Sequence, residues 1–166
     1  SNAKAIILRS SWVYSGIRNG FLSTIIERAR SGEILKVVND QVGTPTSAAW
    51  LAKTTLKVLQ KWLGTTDELR TTPTRVFHAI PSGCTTWMGF ATALLEEARR
   101  HELTIGSSSV IGIATADWPT AAQRPKNSRL STDALREAFG VHGPNWRTLV
   151  SAEVKKYVSI IQNRVC

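Results

Sequence analysis

Short apolar runs alternate with amphipathic stretches along this chain. The runs at residues 5–9, 35–38 and 76–80 are typical of short strands buried in a parallel sheet. Elsewhere, apolar side chains recur at helical spacing. This spacing predicts helices near residues 21–29, 51–62, 87–98, 131–140 and 146–161. Strands that alternate with helices in this way indicate an α/β protein with a few strands and about five helices.

Capping residues predict where several of these helices begin and end. Asn19 and Thr86 precede the first and third helices, and both side chains can accept a hydrogen bond from a first-turn N–H. Ser131 is expected to cap the short fourth helix, and Pro144 to open the last one. Gly32 marks the expected end of the first helix.

The remaining stretches carry weaker signals. Residues 105–116 read as irregular or weakly extended, and residues 117–129 as a long polar loop with two prolines. Residues 1–3, Ser-Asn-Ala, resemble the remnant of a cleaved expression tag and are left out of the fold. One small sheet cannot cover several amphipathic helices, so residues 4–166 are expected to form part of a larger α/β enzyme.

Composition narrows the classes of partner. No apolar run approaches the roughly 20 residues of a membrane helix, so no membrane partner is expected. The formal net charge of +9 suggests nucleic-acid binding as an alternative function. No basic run exceeds two residues, so this alternative is disfavoured. The spacing of Cys84 and Cys166 predicts neither a zinc site nor a redox pair. Two free thiols in a reducing cytoplasm are the expected state.

Four short motifs follow one another along the chain. Residues 9–14 read Arg-Ser-Ser-Trp-Val-Tyr, and residues 40–46 read Asp-Gln-Val-Gly-Thr-Pro-Thr. Residues 77–87 contain Phe-His and then Gly-Cys-Thr-Thr-Trp, and residues 124–130 read Arg-Pro-Lys-Asn-Ser-Arg-Leu. In order and spacing, these motifs resemble those of the dTDP-4-dehydrorhamnose reductases, which are extended short-chain dehydrogenases. Each motif alone is weak, and the four together are specific.

Two motifs of that family have no counterpart here. The glycines do not form the Gly-x-x-Gly-x-x-Gly turn that receives a dinucleotide. Neither tyrosine belongs to a Tyr-x-x-x-Lys pair, because Tyr14 is followed by Arg18 and Tyr157 by Ile161. The resemblance therefore implies a C-terminal, substrate-binding portion that keeps the last strands of a Rossmann sheet. It carries no catalytic residue and is expected to be inactive alone.

The resemblance implies an activity for the whole protein. That activity is NADPH-dependent reduction of dTDP-4-dehydro-6-deoxy-L-mannose to dTDP-L-rhamnose, a precursor of cell-surface polysaccharides such as the O-antigen of lipopolysaccharide. Some relatives use Mg²⁺ to pair their subunits, and its ligands cannot be assigned here. The strand at residues 5–9 is apolar on both faces, so a homodimer through an exposed sheet edge is also expected.

The loop after the first strand supplies four candidate site residues. Ligands of open parallel sheets bind beyond the carboxyl ends of the strands. By resemblance, Ser10 and Ser11 contact the cofactor, and Trp12 forms a wall of the sugar-nucleotide site. A core position is the alternative for Trp12. Tyr14 either hydrogen-bonds the substrate or packs.

Two polar residues in later loops complete the candidate site. The Gln41 amide can read a thymine edge or a sugar hydroxyl, or it can organise its own loop. Arg124 matches a diphosphate through its planar fork of donors, or it can pair with a carboxylate. Neither a nucleophile triad nor a metal-ligand spacing is present in the sequence.

Two further hypotheses share the same fold. One is a nucleotide-sugar epimerase or dehydratase, against which the motifs at residues 9–14 and 124–130 weigh. The other is a regulatory subunit that keeps the fold without catalysis. An intact Tyr-x-x-x-Lys pair upstream of this chain would favour the enzyme, and a replaced tyrosine would favour the regulatory subunit.

Overall fold

The computed structural model describes residues 5–64, 75–106 and 109–163. Within them the chain forms five α-helices and eight short strands, which confirms the predicted α/β class. The helices are α1 (Phe21–Arg30), α2 (Ala48–Gly64), α3 (Trp87–Arg100), α4 (Asp133–Phe139) and α5 (Trp146–Gln162). The strands are β1 (Ile6–Arg9), β2 (Val13–Tyr14), β3 (Leu35–Val38), β4 (Val42–Gly43), β5 (Thr46–Ser47), β6 (Arg75–His78), β7 (Thr85–Thr86) and β8 (Val110–Ile113). The expected tag remnant and Cys166 lie outside the described residues.

The strands pair two by two among the described residues. The pairs β1–β6, β2–β5 and β3–β8 are parallel, and β4–β7 is antiparallel. Strands β1, β3 and β6 coincide with the three apolar runs of the sequence. The β1–β6 and β3–β8 pairs join the segments that are farthest apart in sequence, and the β2–β5 and β4–β7 pairs join closer ones. This long-range pairing fixes the positions of the loops that follow β1, β3 and β6.

Strand β8 was not predicted as a regular element. It lies within residues 105–116, which read as irregular or weakly extended, yet it pairs with β3 from Leu35↔Val110 to Val38↔Ile113. A short 3₁₀ turn, Thr115–Asp117, follows it. Its residues, Val-Ile-Gly-Ile, are apolar, but a glycine weakens a strand signal, and pairing with β3 makes the segment a regular strand.

The predicted capping residue is correct for the third helix and wrong for the first. Thr86 caps α3 as predicted, since its Oγ1 accepts a hydrogen bond from Gly89 N at 3.1 Å. Asn19 does not cap α1. Gly20 is the capping residue, and its N–H donates to Ser23 Oγ at 2.9 Å. The chain leaves α1 through Gly32, whose positive φ of 75° suits a glycine.

The last two helices begin later than the sequence indicates. Helix α4 begins at Asp133, whose N–H donates to Ser131 Oγ at 3.2 Å, so Ser131 binds the first turn from one residue before the cap. Pro144 does not open α5. The cap is Asn145, whose side chain accepts from Arg147 N at 3.0 Å. An amide oxygen that satisfies a free N–H outweighs the preset φ of proline here.

Helix α3 lies at the centre of the larger core. Its inward residues pack with those of α1, α5 and β3. Helical spacing predicts these inward residues correctly, and each lies in this core or packs against it: Trp87, Phe90, Ala91, Leu94, Leu95 and Ala98. A second, smaller core joins α2 and α4 to strands β1 and β6. On α2, helical spacing predicts an inward face made of Leu51, Thr55, Val58, Leu59 and Trp62. This face is partly wrong, because Thr55 and Leu59 are exposed while Thr54 is buried.

Strand β1 is covered on one face, although its apolar run predicts burial on both. Ile6 and Leu8 pack into the smaller core, whereas Ile7 is 45% exposed. Its ladder partner Val76 is 41% exposed, so the two form one apolar patch. Among the described residues β1 pairs with β6 alone, and its outer edge has no strand partner.

Candidate functional site

The segment between β1 and α1 begins with two serines at the carboxyl end of a parallel strand. Ser11 Oγ donates to the carbonyl of Thr44 at 3.2 Å, which ties this segment to the loop before β5. The Ser10 hydroxyl is buried and has no hydrogen-bond partner within the described residues. A buried hydroxyl without a hydrogen-bond partner costs free energy. Of the two serines, Ser10 is therefore the one whose hydroxyl still has an unused hydrogen-bonding capacity.

Trp12 adopts a backbone conformation that is uncommon for a bulky residue. Its φ is 45°, in the left-handed region. The indole stacks on that of Trp87, with centroids 4.0 Å apart and planes at 15°. It also lies against Gly43, where a Cβ would come within 2.5 Å of Trp12 Cε2. The half-buried ring is therefore held by Trp87 and by a glycine of the 40–46 motif.

Gln41 holds Trp87 in place. Its Oε1 accepts a hydrogen bond from Trp87 Nε1 at 3.2 Å, and its Nε2 donates to Thr115 Oγ1 at the same distance. The side chain is buried, with 8% of its surface exposed. Both ends of the amide are thus bonded to other side chains, and the contact of Gln41 with the site runs through Trp87.

Asp40 continues this network towards the surface. Its Oδ1 accepts from the Thr115 N–H at 2.9 Å and from the Thr115 hydroxyl at 2.5 Å. Lys126 Nζ lies 3.4 Å from Oδ2. The hydrogen bond from the Thr115 hydroxyl is the main reason why the pKa of Asp40 falls below its usual value. The charged carboxylate therefore anchors both the 3₁₀ turn and the 124–130 motif.

Tyr14 is a core residue in this structure. It is 5% exposed and meets the Phe90 ring edge-on, with centroids 4.9 Å apart. Its hydroxyl has no hydrogen-bond partner among the described residues. Burial raises the pKa of this phenol well above its usual value, and the negative charge of Glu153 raises it further. Tyr14 thus remains neutral, and packing is its main contact.

Arg124 begins the 124–130 motif. It is exposed in the loop between the 3₁₀ turn and α4, and no hydrogen bond or ion pair is found for it within the described residues. The loop itself is anchored nearby, because Val42 N donates to the Lys126 carbonyl and Ser128 N donates to the Val42 carbonyl, both at 2.8 Å. The structure brings the 124–130 motif to the site, and it leaves the Arg124 guanidinium free.

The four sequence motifs meet in space. Trp12 of the first contacts Trp87 of the third, and Trp87 is bonded to Gln41 of the second. Val42 of the second is bonded through the backbone to the fourth. Segments spread over most of the chain thus form one continuous cluster.

An open cleft of about 370 Å³ lies beyond the carboxyl end of β6. It is lined by Thr44, Ile80, Pro81, Ser82, Gly83, Cys84, Arg129, Leu130, Ser131, Thr132 and Asp133. None of the predicted site residues lines it. Arg129 is the basic residue of this lining, and its Nε donates to Asn127 Oδ1 at 3.0 Å. Its place inside the 124–130 motif was the available signal for it.

Glu153 was also missed by the sequence reasoning. It is 2% exposed on α5 and accepts hydrogen bonds from Gly16 N at 2.9 Å, Ser47 Oγ at 2.8 Å and Lys156 Nζ at 2.9 Å. A signal existed, because position 153 falls on the apolar face of α5, and a carboxylate there is informative. This carboxylate joins the end of the Trp12 segment to the last helix.

The described ranges contain neither a cluster of metal-ligating side chains nor a helix that could span a membrane. No group of three or more His, Cys, Asp or Glu side chains lies close enough there to hold a metal ion, so no ligand set for Mg²⁺ is assigned. None of the helices described is both long and apolar enough to cross a bilayer.

Known proteins resemble this chain over nearly all of its described length. The model of the RmlD substrate binding domain family matches residues 1–159. A dTDP-4-dehydrorhamnose reductase of Escherichia coli (strain K12) is 37% identical over 145 residues, which are 87% of this chain and 47% of the relative.

Solved structures agree with this match. A dTDP-4-dehydrorhamnose reductase of Clostridium acetobutylicum superposes with a TM-score of 0.75 at 29% identity, over 95% of this chain and 49% of that one. A dTDP-4-dehydrorhamnose reductase of Bacillus anthracis in complex with NADP gives 0.73 at 26% identity, over 89% and 47%. The chain thus spans about half the length of the relatives it matches.

Proposed function

The chain belongs to the RmlD substrate binding domain family, and from this premise we propose that it is the substrate-binding part of a dTDP-4-dehydrorhamnose reductase. The whole protein would reduce dTDP-4-dehydro-6-deoxy-L-mannose to dTDP-L-rhamnose with NADPH, in the cytoplasm. Residues 4–166 form the domain concerned. The observation that carries the proposal is the cluster in which all four motifs meet around Trp12 and Trp87.

Trp12 and Arg124 are the proposed substrate contacts of this cluster. Trp87 already covers part of Trp12, so the substrate meets the remaining half-buried surface of the indole. The Arg124 guanidinium is exposed, and its planar fork suits a diphosphate. Gln41 and Tyr14 act indirectly, because Gln41 holds Trp87 and Tyr14 anchors the segment that carries Trp12 through its contact with Phe90.

The residues at the end of β1 fit a dinucleotide cofactor. Ser10 presents a buried hydroxyl that has no partner within the described residues, and a cofactor amide or phosphate could satisfy it. Ser11 fixes the same turn through its bond to Thr44. When bound, NADPH supplies the hydride that reduces the C4 keto group. This chain holds and orients the sugar nucleotide for that step.

The test has two parts. The complete protein that contains this chain should oxidise NADPH when dTDP-4-dehydrorhamnose is added, and the 166-residue chain alone should not. The chain alone should bind dTDP, measured by titration calorimetry, with UDP as the control for base selectivity. Absence of turnover by the complete protein, together with absence of dTDP binding by the chain, would contradict the proposal and would favour a non-catalytic subunit.

A further inference from the structure

We propose that Glu153 is a positioning residue, whose buried carboxylate holds residues 12–16 against α5 and thereby keeps the Trp12 indole on Trp87. Its consequence for substrate binding rests on the function proposed above. Its consequence for the conformation of the segment does not, and the two can be measured separately.

The first contact joins the segment to the helix directly. Glu153 Oε2 accepts the Gly16 N–H at 2.9 Å. The backbones also touch, because a Cβ on Gly16 would lie 2.1 Å from the carbonyl oxygen of Glu153. Gly16 therefore reaches α5 only because it has no side chain, and the carboxylate bonds it where it arrives.

The second contact joins the same carboxylate to the strand that supports the segment. Glu153 Oε1 accepts the Ser47 hydroxyl at 2.8 Å. Ser47 pairs with Tyr14 in the β2–β5 ladder, and the Trp12 carbonyl accepts from Thr46 N at 3.1 Å. One side chain thus holds the segment at its end and, through β5, along its length.

The energetics favour a positioning role over a stabilising one. Burying a carboxylate carries a desolvation cost, and an apolar side chain of similar size would avoid it. An apolar side chain would lie against the same residues, Gly16 and Ser47, but it could not accept the Gly16 N–H or the Ser47 hydroxyl. The charged carboxylate therefore serves to fix the position of residues 12–16, including the uncommon backbone conformation of Trp12.

Lys156 provides a matched control. It donates to Glu153 Oε1 at 2.9 Å from the same helix, and 46% of its side chain is exposed. Lys156→Gln weakens the charge pairing and leaves the bonds to Gly16 and Ser47 in place. If Glu153 acts through those two bonds, this variant should keep the segment where it is.

The experiment is circular dichroism of the 166-residue chain. Two stacked indoles couple their transitions, so the signal of the Trp12–Trp87 pair is the wild-type spectrum plus that of the Trp12→Phe/Trp87→Phe double variant, minus the spectra of the two single variants. We expect Glu153→Met to lose at least half of this signal with thermal unfolding still cooperative, and Lys156→Gln to retain it. A folded Glu153→Met variant with the full signal would overturn the proposal.

Milder variants decide the matter if Glu153→Met does not fold. Glu153→Gln keeps the shape and one acceptor, and Ser47→Ala removes one of the two bonds. Each should reduce the signal of the pair, and the full signal in both would overturn the proposal.

Titration of each variant with dTDP separates the two proposals. Glu153→Gln should weaken dTDP binding about fivefold, the effect of losing roughly one hydrogen bond. A lost signal of the pair with unchanged dTDP affinity would uphold the positioning role and contradict the assignment of Trp12 to the substrate.

Discussion

The indole of Trp12 lies almost flat on that of Trp87, 4.0 Å from it between centroids. The contact joins the loop after β1 to the start of α3, so it closes the cluster formed by the four motifs. Trp87 also meets Phe21 at 4.7 Å, and Phe21 stacks on Phe90 at 5.2 Å. An aromatic ladder therefore runs from the half-buried Trp12 into the larger core, and the position of Trp12 depends on the packing of that core.

Gly43 leaves the space that Trp12 occupies. Gly43→Ala should displace the indole, because the new Cβ would lie 2.5 Å from Trp12 Cε2. Overpacking of this kind costs about 1–3 kcal/mol. We expect a lower thermal midpoint and loss of the signal of the tryptophan pair in circular dichroism. Gly64→Ala is the control, since a Cβ there meets no atom within 4 Å. Equal behaviour of the two variants would show that Trp12 is not held by Gly43.

The Gln41 amide should matter to stability as well as to the site. Gln41→Ala leaves Trp87 Nε1 without its acceptor and removes one contact of Thr115. We expect a loss of about 1–3 kcal/mol in the free energy of unfolding, measured by urea titration. Gln60→Ala, at an exposed position of α2, should change it by less than about 0.5 kcal/mol. Similar losses in both variants would contradict the network described for Gln41.

Arg124 is expected to recognise the diphosphate. Arg124→Gln should weaken dTDP binding roughly ten- to a hundredfold, because a charge-assisted bond is lost, and should leave thymidine binding unchanged. Titration calorimetry with both ligands measures the difference. Arg136→Gln is the control, since Arg136 pairs with Asp133 on the surface of α4. If Arg129→Gln shows the selective loss instead, the diphosphate lies in the cleft that Arg129 lines.

Acid should weaken the hold of Glu153. Burial alone would raise its pKa, but the bonds from Lys156, Gly16 and Ser47 outweigh burial and lower it. A carboxyl with a lowered folded pKa contributes stability fully above its unfolded value of about 4.3 and loses it as the pH falls through the folded value. Lys156 also contacts this carboxylate, and Tyr14 stays neutral in this range because burial raises the pKa of its phenol.

Thermal midpoints between pH 7 and pH 3 measure this contribution. Below about pH 4.3 the wild-type midpoint should fall more steeply than that of Glu153→Gln. Parallel curves would show that the carboxylate gives no pH-dependent stability. The comparison cancels the acid sensitivity of the other carboxylates, because both chains share them.

The outer edge of β1 has no strand partner among the described residues, and we propose a homodimer through this edge, which the exposed apolar face of the β1–β6 ladder beside it should promote. Ile7 and Val76 lie side by side there and are both more than a third exposed. Ile7→Lys should lower the sedimentation coefficient at high protein concentration, because it places a charge on the patch. Ile111→Lys is matched to it, at 45% exposure on β8. A wild-type chain that sediments as a monomer at all concentrations would contradict the dimer.

The helices could be predicted because their signal is local. The inward residues of α3 repeat every three or four positions, and Phe90, Leu94 and Ala98 are fully buried as that spacing predicts. Strand β8 could not be predicted in the same way, because Gly112 interrupts its apolar run and its regular conformation depends on pairing with β3. The end of α1 at Gly32 was visible, but the choice of Gly20 over Asn19 as the cap depends on the Ser23 hydroxyl.

The candidate site was predictable as a set of motifs and not as a geometry. The sequence pointed to Trp12 and Gln41, but it did not show that Trp87 stands between them. The stacked indoles and the two hydrogen bonds of the Gln41 amide join segments that are distant in sequence. Such contacts cannot be predicted from the local pattern of residues. Glu153 could have been predicted as a site residue, because a carboxylate on the apolar face of a helix is buried at a high cost unless it accepts hydrogen bonds.

The bond between Gly16 and Glu153 has a further consequence for biosynthesis. Its two residues are 137 positions apart, so nearly the whole chain must leave the ribosome before it can form. Until then the segment that carries Trp12 lacks its anchor, and contacts this distant form late and slowly. The nascent chain therefore reaches its final shape at this loop only after α5 has been made, and a pause in translation before α5 would leave the loop without this anchor.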